Sequence, residues 1–235
     1  MLPPLDVPPR PVLTVRHGPD FPVRRIFCIG RNYAAHAVEM GHSAKEPPFH
    51  FIKSADSAWT ASGPAASSMA FPPGTDDLQH EVELVVAVGT AGRNLTVPQA
   101  SAAVFAHGVG VDLTRRDLQA AAKRKRRPWS AGKDFDGAAP VGELTLGPPP
   151  GAGVIELSVN GETRQRGDIA DMIWSVPELL CHLSTLRTLR PGDLVFTGTP
   201  AGVGTLESGD VVVGSIAGVG CSVGFVVGRA GDLGA

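Results

Sequence analysis

Glycine and proline interrupt this chain so often that long helices have little room. The 235 residues include 29 glycines and 21 prolines, against averages of about 7% and 5% in soluble proteins. Both residues are unfavourable inside helices, whereas they are common in the turns between strands. The pattern predicts many short strands joined by turns, with a few short helices. We therefore predict an α+β fold that is rich in strands.

The chain is long enough for one large domain with a buried core. Residues 1–24 are rich in proline and predict a small extended segment laid against the body, and residues 25–230 form the main predicted domain. No stretch approaches the roughly 18 apolar residues of a membrane span, and a net charge of −2 offers no field that attracts nucleic acid. Three cysteines without paired spacing and an N-terminus without a signal-peptide pattern favour a reducing, cytoplasmic setting.

The run from His80 to Val88 resembles a buried strand, yet it carries two acidic residues. Glu81 and Glu83 are two positions apart, so both carboxylates point to the same face of the strand. Two carboxylates on a partly buried face repel each other unless a cation neutralises them or they share a proton. The pair therefore predicts half of a metal site. The alternative is the solvated face of an edge strand, because short acidic spacings are common.

A third acidic ligand is expected at the end of the apolar run from Val104 to Val111. Asp112 follows that run directly, so it can reach the same cavity as the two glutamates. Three oxygen ligands with no cysteine nearby favour Mg²⁺, Mn²⁺ or Ca²⁺ over Zn²⁺. Such a site would keep positions open for water or a chelating substrate. The alternative role for Asp112 is the N-cap of the helix that follows.

Two short helices are predicted near these acids. His36 and Glu39 share one face of the first helix, so Glu39 can orient His36 as a general base. The alternative, which fits the spacing as well, is an exposed histidine with an incidental neighbour. The second helix is predicted to start near Thr114, with Asp117 in a capping-box position, and to stop before Pro128.

The second helix also carries candidate ligand contacts. Arg116 and Gln119 are three residues apart on one face, where an arginine fork suits a carboxylate, and the alternative is a solvated helix surface. The basic run Lys123–Arg127 lacks interleaved aromatic residues, so we interpret it as a solvated helix end and predict no nucleic-acid partner.

Two loops add further polar groups. Lys133 follows small residues that leave space for a ligand, but its spacing is not that of a Walker loop. The glycine-rich stretch Thr197–Gly204 follows a predicted strand and can present backbone N–H groups to an anion, whereas Pro200 argues against a dinucleotide-binding turn. Thr199 is predicted to contact a substrate carboxylate.

Five motifs occur in one order over roughly residues 25–225. They are Gly30-Arg-Asn-Tyr-Ala-Ala-His36, His80-Glu-Val-Glu83, Val111-Asp-Leu-Thr-Arg-Arg-Asp-Leu-Gln119, Ala131-Gly-Lys133 and Thr197-Gly-Thr-Pro200. Each motif alone is weak, but in this order and spacing they resemble the fumarylacetoacetate hydrolase family. Within that family, the stretches 21–36 and 46–53 look most like fumarylpyruvate hydrolases.

The resemblance implies a mixed β-roll around a Mg²⁺ or Mn²⁺ site, assembled as a homodimer, with residues 25–230 as the catalytic domain. It assigns metal binding to Glu81, Glu83 and Asp112. It assigns catalytic roles to His36, Glu39 and Lys133. It assigns substrate binding to Arg31, Tyr33, Arg116, Gln119 and Thr199.

The reaction that the resemblance implies is hydrolysis of a carbon–carbon bond in an acylpyruvate. Fumarylpyruvate as the substrate would give fumarate and pyruvate in the gentisate branch of aromatic catabolism. The enzymatic alternatives are decarboxylation of oxaloacetate and a hydratase or isomerase reaction on another 2-oxo acid. The alternative outside enzymes is a catalytically silent protein that binds a metal or a ligand.

Overall fold

Short strands make up most of the fold. The computed structural model describes residues 8–34, 46–218, 220 and 222–231. Within these residues, nineteen strands form four sheets, and four short α-helices lie between them in the chain. The prediction of a strand-rich α+β fold with mixed sheets is confirmed. None of the helices in these ranges is long and apolar enough to cross a bilayer.

The largest sheet has nine strands and contains the centre of the fold. Its strands are β2 (Val15–Arg16), β4 (Arg25–Gly30), β5 (Phe49–Lys53), β6 (Ala58–Thr60), β9 (Val82–Val88), β10 (Val104–Val111), β12 (Ala139–Val141), β13 (Leu144–Leu146) and β16 (Asp193–Phe196). Their order is β2-β13-β10-β9-β16-β4-β5, and β12 pairs with both β10 and β6. The sheet is mixed, since β16 is parallel to β4 whereas β9 and β10 are antiparallel.

Three smaller sheets complete the fold. The five-stranded sheet has the order β15 (Glu162–Asp168), β14 (Val154–Val159), β18 (Val211–Ile216), β19 (Ser222–Val227) and β7 (Ser68–Met69). The three-stranded sheet has the order β11 (Thr114–Arg115), β8 (Leu78–His80) and β17 (Gly204–Leu206). The pair β1 (Val12–Leu13) and β3 (Phe21–Pro22) forms the fourth sheet. Contacts of β9 and β10 with β14 and β18 place the five-stranded sheet against the large one.

The helices are α1 (Val97–Ala102), α2 (Arg116–Arg124), α3 (Ser130–Lys133) and α4 (Val176–Leu186). Helix α2 begins at Arg116 because Thr114 is paired with β8 as part of β11. The Asp117 carboxylate does not form the predicted capping box. It accepts a hydrogen bond from Thr75 Oγ1 at 2.6 Å instead. The helix therefore starts two residues after Thr114, and the predicted cap is wrong, because tertiary pairing outweighs the local capping pattern.

Strand β9 is buried on both faces and lies between two apolar clusters. Leu84 and Val86 belong to the larger cluster, whereas Val85 belongs to the smaller one. Side chains alternate along a strand, so Glu81 and Glu83 share the face of Val85. Both strand neighbours of β9 are present in the sheet. The alternative of a solvated edge strand is therefore excluded.

Candidate active site

Three buried carboxylates meet at one end of β9 and β10. These strands pair with Gly110 opposite Glu83, and the N–H of Asp112 donates to the carbonyl of Glu81 at 2.8 Å. One carboxylate oxygen from each of Glu81, Glu83 and Asp112 therefore lies within 4.8 Å of the other two. Helix α2 begins only at Arg116, so Asp112 is not its N-cap. The structure brings together the three residues that the sequence predicts as metal ligands.

The charge of this trio is concentrated where water is excluded. Glu83 is 1% exposed, and its Oε2 accepts the N–H of Gly198 at 2.6 Å. Burial raises the pKa of Glu83 well above its usual value, and Asp112 and Glu81 raise it further. A cation among the three carboxylates would remove this repulsion.

The peptide between Thr197 and Gly198 is fixed on both sides. Its carbonyl accepts Asn32 Nδ2 at 2.8 Å, while its N–H donates to Glu83. Gly198 has φ of 102°, and a Cβ built there would lie 2.7 Å from the Cβ of Asn32. Only glycine combines this backbone conformation with so close an approach.

Three cations surround the carboxylates. Lys133 Nζ lies 2.8 Å from both Glu81 Oε2 and Asp112 Oδ2, and Arg116 Nη2 lies 2.5 Å from Glu81 Oε1. Burial by itself would lower the pKa of Lys133, but Asp112 and Glu81 raise it overall above its usual value. Lys133 is therefore a fully charged ammonium at neutral pH.

Lys53 is the third cation, and the sequence reasoning missed its role. It is completely buried, with Nζ 2.9 Å from Asp112 Oδ1 and hydrogen bonds of 3.0 Å to the carbonyls of Leu113 and Ala138. The sequence shows a lysine at the end of a strand. Nothing in the local pattern shows that this lysine turns inward, because that depends on the pairing of β4 with β5.

The donor set fits a hard divalent ion. Among the residues described, this trio is the one acidic cluster with metal-ligand spacing. Asp112 Oδ1 is buried and accepts no hydrogen bond from any described residue, although it is ion-paired with Lys53. Carboxylate oxygens suit Mg²⁺ and Mn²⁺ better than they suit softer ions. The residues present can thus hold the ion that the sequence predicts.

One cavity collects eight of the predicted site residues. Its lining includes Arg31, Glu81, Glu83, Asp112, Arg116, Gln119, Lys133 and Thr199. The rings of Phe49, Phe51 and Trp129 form an aromatic part of the same wall. The cavity therefore combines a candidate metal site with polar contacts for an anion and an apolar aromatic surface.

Arg116 and Gln119 are held in place by each other and by their surroundings. Arg116 Nη1 donates to Gln119 Oε1 at 2.7 Å, and Arg116 Nε donates to Gln79 Oε1 at 2.7 Å. Helix α3 approaches so closely that a Cβ on Gly132 would lie 2.7 Å from the backbone nitrogen of Gln119. Gln119 is 3% exposed. The alternative of a solvated helix surface is therefore wrong for these two residues.

Gln165 is a second residue that the sequence reasoning missed. It is fully buried on β15. Its Oε1 accepts a hydrogen bond from the N–H of Val82 at 3.0 Å and forms another with His80 Nδ1 at 2.9 Å. Its Nε2 donates to Thr199 Oγ1 at 2.8 Å and to the Pro200 carbonyl at 3.0 Å. These partners fix the orientation of the amide, so His80 Nδ1 must be the donor. One side chain therefore ties β9 to the loop that carries Thr199.

The position of Gln165 also sets the hydrogen-bonding role of Thr199. Because Thr199 Oγ1 accepts from Gln165, its own hydroxyl proton is available to donate towards the cavity. Strand β15 is otherwise largely exposed and charged. The sequence gives one indication that Gln165 is buried, namely that it is an uncharged residue within a charged strand.

Tyr33 is the predicted site residue that the structure describes outside the cavity lining. Tyr33 bridges to Met172, and its buried Oη has no hydrogen-bond partner in the part of the chain described. Burial raises the pKa of Tyr33, and Glu83 raises it further, so the hydroxyl stays protonated. His36 and Glu39 lie outside the described residues, as does most of the first predicted helix.

The basic run at the end of α2 only partly matches the predicted solvated helix end. Residues 124–127 are exposed, but Lys123 is half-buried and lines the cavity. It follows Arg116 by seven positions and Gln119 by four, so all three share one helix face. The prediction is wrong for Lys123.

The sequence and the fold are similar to those of known proteins. Residues 25–227 match the family described as fumarylacetoacetate (FAA) hydrolase C-terminal. The fold is similar to the crystal structure of fumarylpyruvate hydrolase from Pseudomonas aeruginosa in complex with Mn²⁺ and pyruvate, with 44% sequence identity and a TM-score of 0.91. That alignment covers 97% of this chain and 100% of the other.

Two relatives carry different names. Oxaloacetate tautomerase YcgM of Escherichia coli (strain K12) is 42% identical over 197 residues, which are 81% of this chain and 87% of the relative. Fumarylpyruvate hydrolase of Ralstonia sp is 39% identical over 178 residues, which are 74% of this chain and 90% of the relative. The family match spans most of the chain, and these identities extend over nearly all of each relative. The chain therefore belongs to the fumarylacetoacetate hydrolase family.

Proposed function

We propose that this protein hydrolyses the carbon–carbon bond of an acylpyruvate, with fumarylpyruvate as its substrate. The observation that carries the proposal is the convergence, in one cavity, of three buried carboxylates with Arg116, Lys133 and Thr199. The side chains of this cavity suit a divalent ion and the carboxylate of a 2-oxo acid. The Mn²⁺ and pyruvate in the related Pseudomonas aeruginosa structure support this combination.

Glu81, Glu83 and Asp112 are proposed to hold Mg²⁺ or Mn²⁺. The bound ion would act as a Lewis acid that stabilises negative charge on a 2-oxo oxygen. The chain contributes three hard oxygen donors that are at most 6% exposed. Water screens charges weakly at such a position, so each electrostatic contact with substrate is stronger than it would be on the surface.

Arg116, Gln119 and Thr199 are proposed to bind the polar end of the substrate. Arg116 has five N–H groups, and three of them are used by described residues, so two remain for a carboxylate. Gln119 accepts from Arg116 through Oε1, so its amide hydrogens can point to the ligand. Thr199 adds a hydroxyl donor from the opposite loop.

His36, oriented by Glu39, is proposed as the general base, on the basis of the sequence motif. It takes a proton from water, and the hydroxide adds to the acyl carbonyl carbon. Collapse of this adduct breaks the bond to the methylene carbon of the pyruvate unit and releases the acid. The electron pair passes to the pyruvate enolate, whose negative charge Lys133 stabilises. A proton returned from His36 to the methylene carbon gives pyruvate.

Metal removal tests the proposal directly. We expect chelator-treated protein to lose hydrolysis of fumarylpyruvate and to regain it when Mg²⁺ or Mn²⁺ is added, because the acidic trio then recovers its cation. The measurement is product formation, followed as fumarate and pyruvate. Glu83→Gln should prevent the recovery. Glu207→Gln, at an exposed position, is the matched control and should recover fully. Hydrolysis that is indifferent to metal would contradict the proposal.

A second candidate function is favoured by the 42% identity to an oxaloacetate tautomerase. Oxaloacetate is also a 2-oxo acid, so the same ion, Arg116 and Thr199 would suit its tautomerisation or decarboxylation. Neither reaction needs an attacking water. Parallel assays with fumarylpyruvate, acetylpyruvate and oxaloacetate distinguish these activities, and ligand binding without turnover would indicate a silent member of the family. The homodimer implied by the resemblance is retained as part of the proposal.

A further inference from the structure

Lys123 occupies an unusual position in the last turn of α2. It is half-buried, lines the cavity, and places Nζ 5.0 Å from the centre of the Trp129 ring. The Trp129 ring packs in turn against Phe49 and Phe51, with centroid distances of 5.7 and 6.0 Å. Lys123 therefore lies beside the aromatic residues that line the cavity.

Lys123 differs from the other cations of the cavity in its partners. Arg31 is paired with Glu46, Arg116 with Glu81, and Lys133 with both Glu81 and Asp112. No carboxylate in the described ranges forms an ion pair with Lys123, whose ring contact is with Trp129. A half-buried ammonium that forms no ion pair with any described carboxylate costs folding free energy, so its position in the cavity wall points to an anion supplied by a ligand.

The charge balance of the cavity favours a ligand with two negative charges. Among the residues described, the lining contains three carboxylates and four cationic side chains, so a bound divalent ion would leave it with a net positive charge. One carboxylate, bound beside the acidic trio, would leave this excess largely uncompensated. A second carboxylate near Lys123 would reduce it. The aromatic rings beside Lys123 offer an apolar surface for the chain that joins the two carboxylates.

We infer that Lys123 binds the distal carboxylate of a dicarboxylic 2-oxo acid and so selects dicarboxylic over monocarboxylic acylpyruvates. This inference rests on the proposed function, in which the proximal carboxylate and 2-oxo group bind beside Glu81, Glu83 and Asp112. It assigns Lys123 a role in substrate specificity, whereas Lys133 acts at the reacting end.

Binding of two matched compounds tests the inference without turnover. 2-Oxoheptanedioate has the seven-carbon chain of fumarylpyruvate and both terminal carboxylates, whereas 2-oxoheptanoate lacks the distal carboxylate. Their dissociation constants are measured by calorimetry on Mg²⁺-loaded protein. We expect wild type to bind the dicarboxylate about 10-fold or more tightly than the monocarboxylate, as is typical for one charge-assisted hydrogen bond. In Lys123→Met this preference should fall to about 2-fold or less.

Lys125→Met is the matched control, because it removes the same charge from an exposed position at the end of the same helix. It should keep the wild-type preference. The inference is overturned if wild type binds the two compounds equally, or if Lys123→Met keeps the preference for the dicarboxylate. It is also overturned if Lys125→Met loses this preference as fully as Lys123→Met. Failure of the proposed function is a separate result, namely absence of fumarylpyruvate hydrolysis by metal-loaded wild type, and it leaves the binding ratio measurable.

Discussion

The side chain of Gln165 joins three sheets beside the cavity. It extends from β15 of the five-stranded sheet to His80 in the three-stranded sheet and to Val82 in the nine-stranded sheet. Its remaining hydrogen bonds hold the loop that contains Thr199. A buried amide with every bond made is costly to disturb, because each lost partner leaves an unsatisfied polar group.

Gln165→Glu should weaken catalysis through Thr199. The substitution keeps the shape but replaces the amide donor with an oxygen, so the Thr199 hydroxyl can turn to donate to the new carboxylate and away from the ligand. We expect kcat/KM for fumarylpyruvate to fall about 10-fold and stability to fall by about 1–3 kcal/mol. Steady-state kinetics and urea unfolding measure these effects.

A double-mutant cycle distinguishes this role from general damage to the fold. If Gln165 acts through Thr199, then adding Gln165→Glu to Thr199→Ala should cause little further loss of kcat/KM. Losses that add independently would show that Gln165 acts by another route.

The role of a site residue was predictable from the sequence where the local spacing alone fixes the direction of its side chain. The two glutamates on one strand face and the acid that ends the neighbouring strand required only the two-residue strand period. Lys53 and Gln165 were not predictable, because their inward orientation is fixed by partners 60 and 83 residues away in sequence, namely Leu113 and Val82. Lys123 was misinterpreted because its charged neighbours at positions 124–127 are solvated.

The loop after β16 shows how one element shapes the acidic site. Gly198→Ala would introduce a Cβ 2.7 Å from that of Asn32, at a φ of 102° that is itself unfavourable for alanine. We expect a loss of about 1–3 kcal/mol in stability and weaker Mg²⁺ binding, because the N–H that holds Glu83 must move. Urea unfolding and metal titration by calorimetry measure these two effects.

Gly209→Ala, in the turn between β17 and β18, is the matched control for Gly198→Ala. Gly209 has φ of 99°, and a Cβ built there has no atom within 4 Å. This variant should lose stability because alanine is unfavourable at positive φ, but its Mg²⁺ affinity should not change. Equal metal affinities in the two variants would contradict the role given to the Gly198 N–H.

At the level of elements, a tight turn between strands depends on two adjacent residues, whereas the end of a helix can depend on distant pairing. The Asn160-Gly161 turn between β14 and β15 has φ of 54° and 80°, as a two-residue hairpin of this composition requires. Helix α2 begins two residues after Thr114 because Thr114 pairs with β8. Such pairing depends on a strand more than thirty residues earlier, which local capping rules do not include.

For the whole molecule, stability should depend on pH through His50 on the edge strand β5. Burial lowers the pKa of His50 from 6.5, and Arg187 and His182 lower it further. The folded state therefore takes up this proton less readily than the unfolded state, so the stabilising contribution is full above about pH 6.5 and is lost as the pH falls through the folded pKa.

His50→Phe should remove this component. Urea unfolding at several pH values between 7.5 and 5 should show a smaller loss of stability on acidification in the variant than in wild type. Phe at this position keeps an aromatic ring beside Phe27. An identical pH dependence in the two proteins would show that His50 does not contribute.

The placement of Lys53, Lys133 and Arg116 has a consequence for how the protein matures. Each of these cations already contacts Glu81 or Asp112 in the folded chain. Folding therefore need not wait for a metal, in contrast to small domains whose structure forms only around the ion. Under the proposed function, the polypeptide can therefore fold completely first and bind magnesium or manganese afterwards.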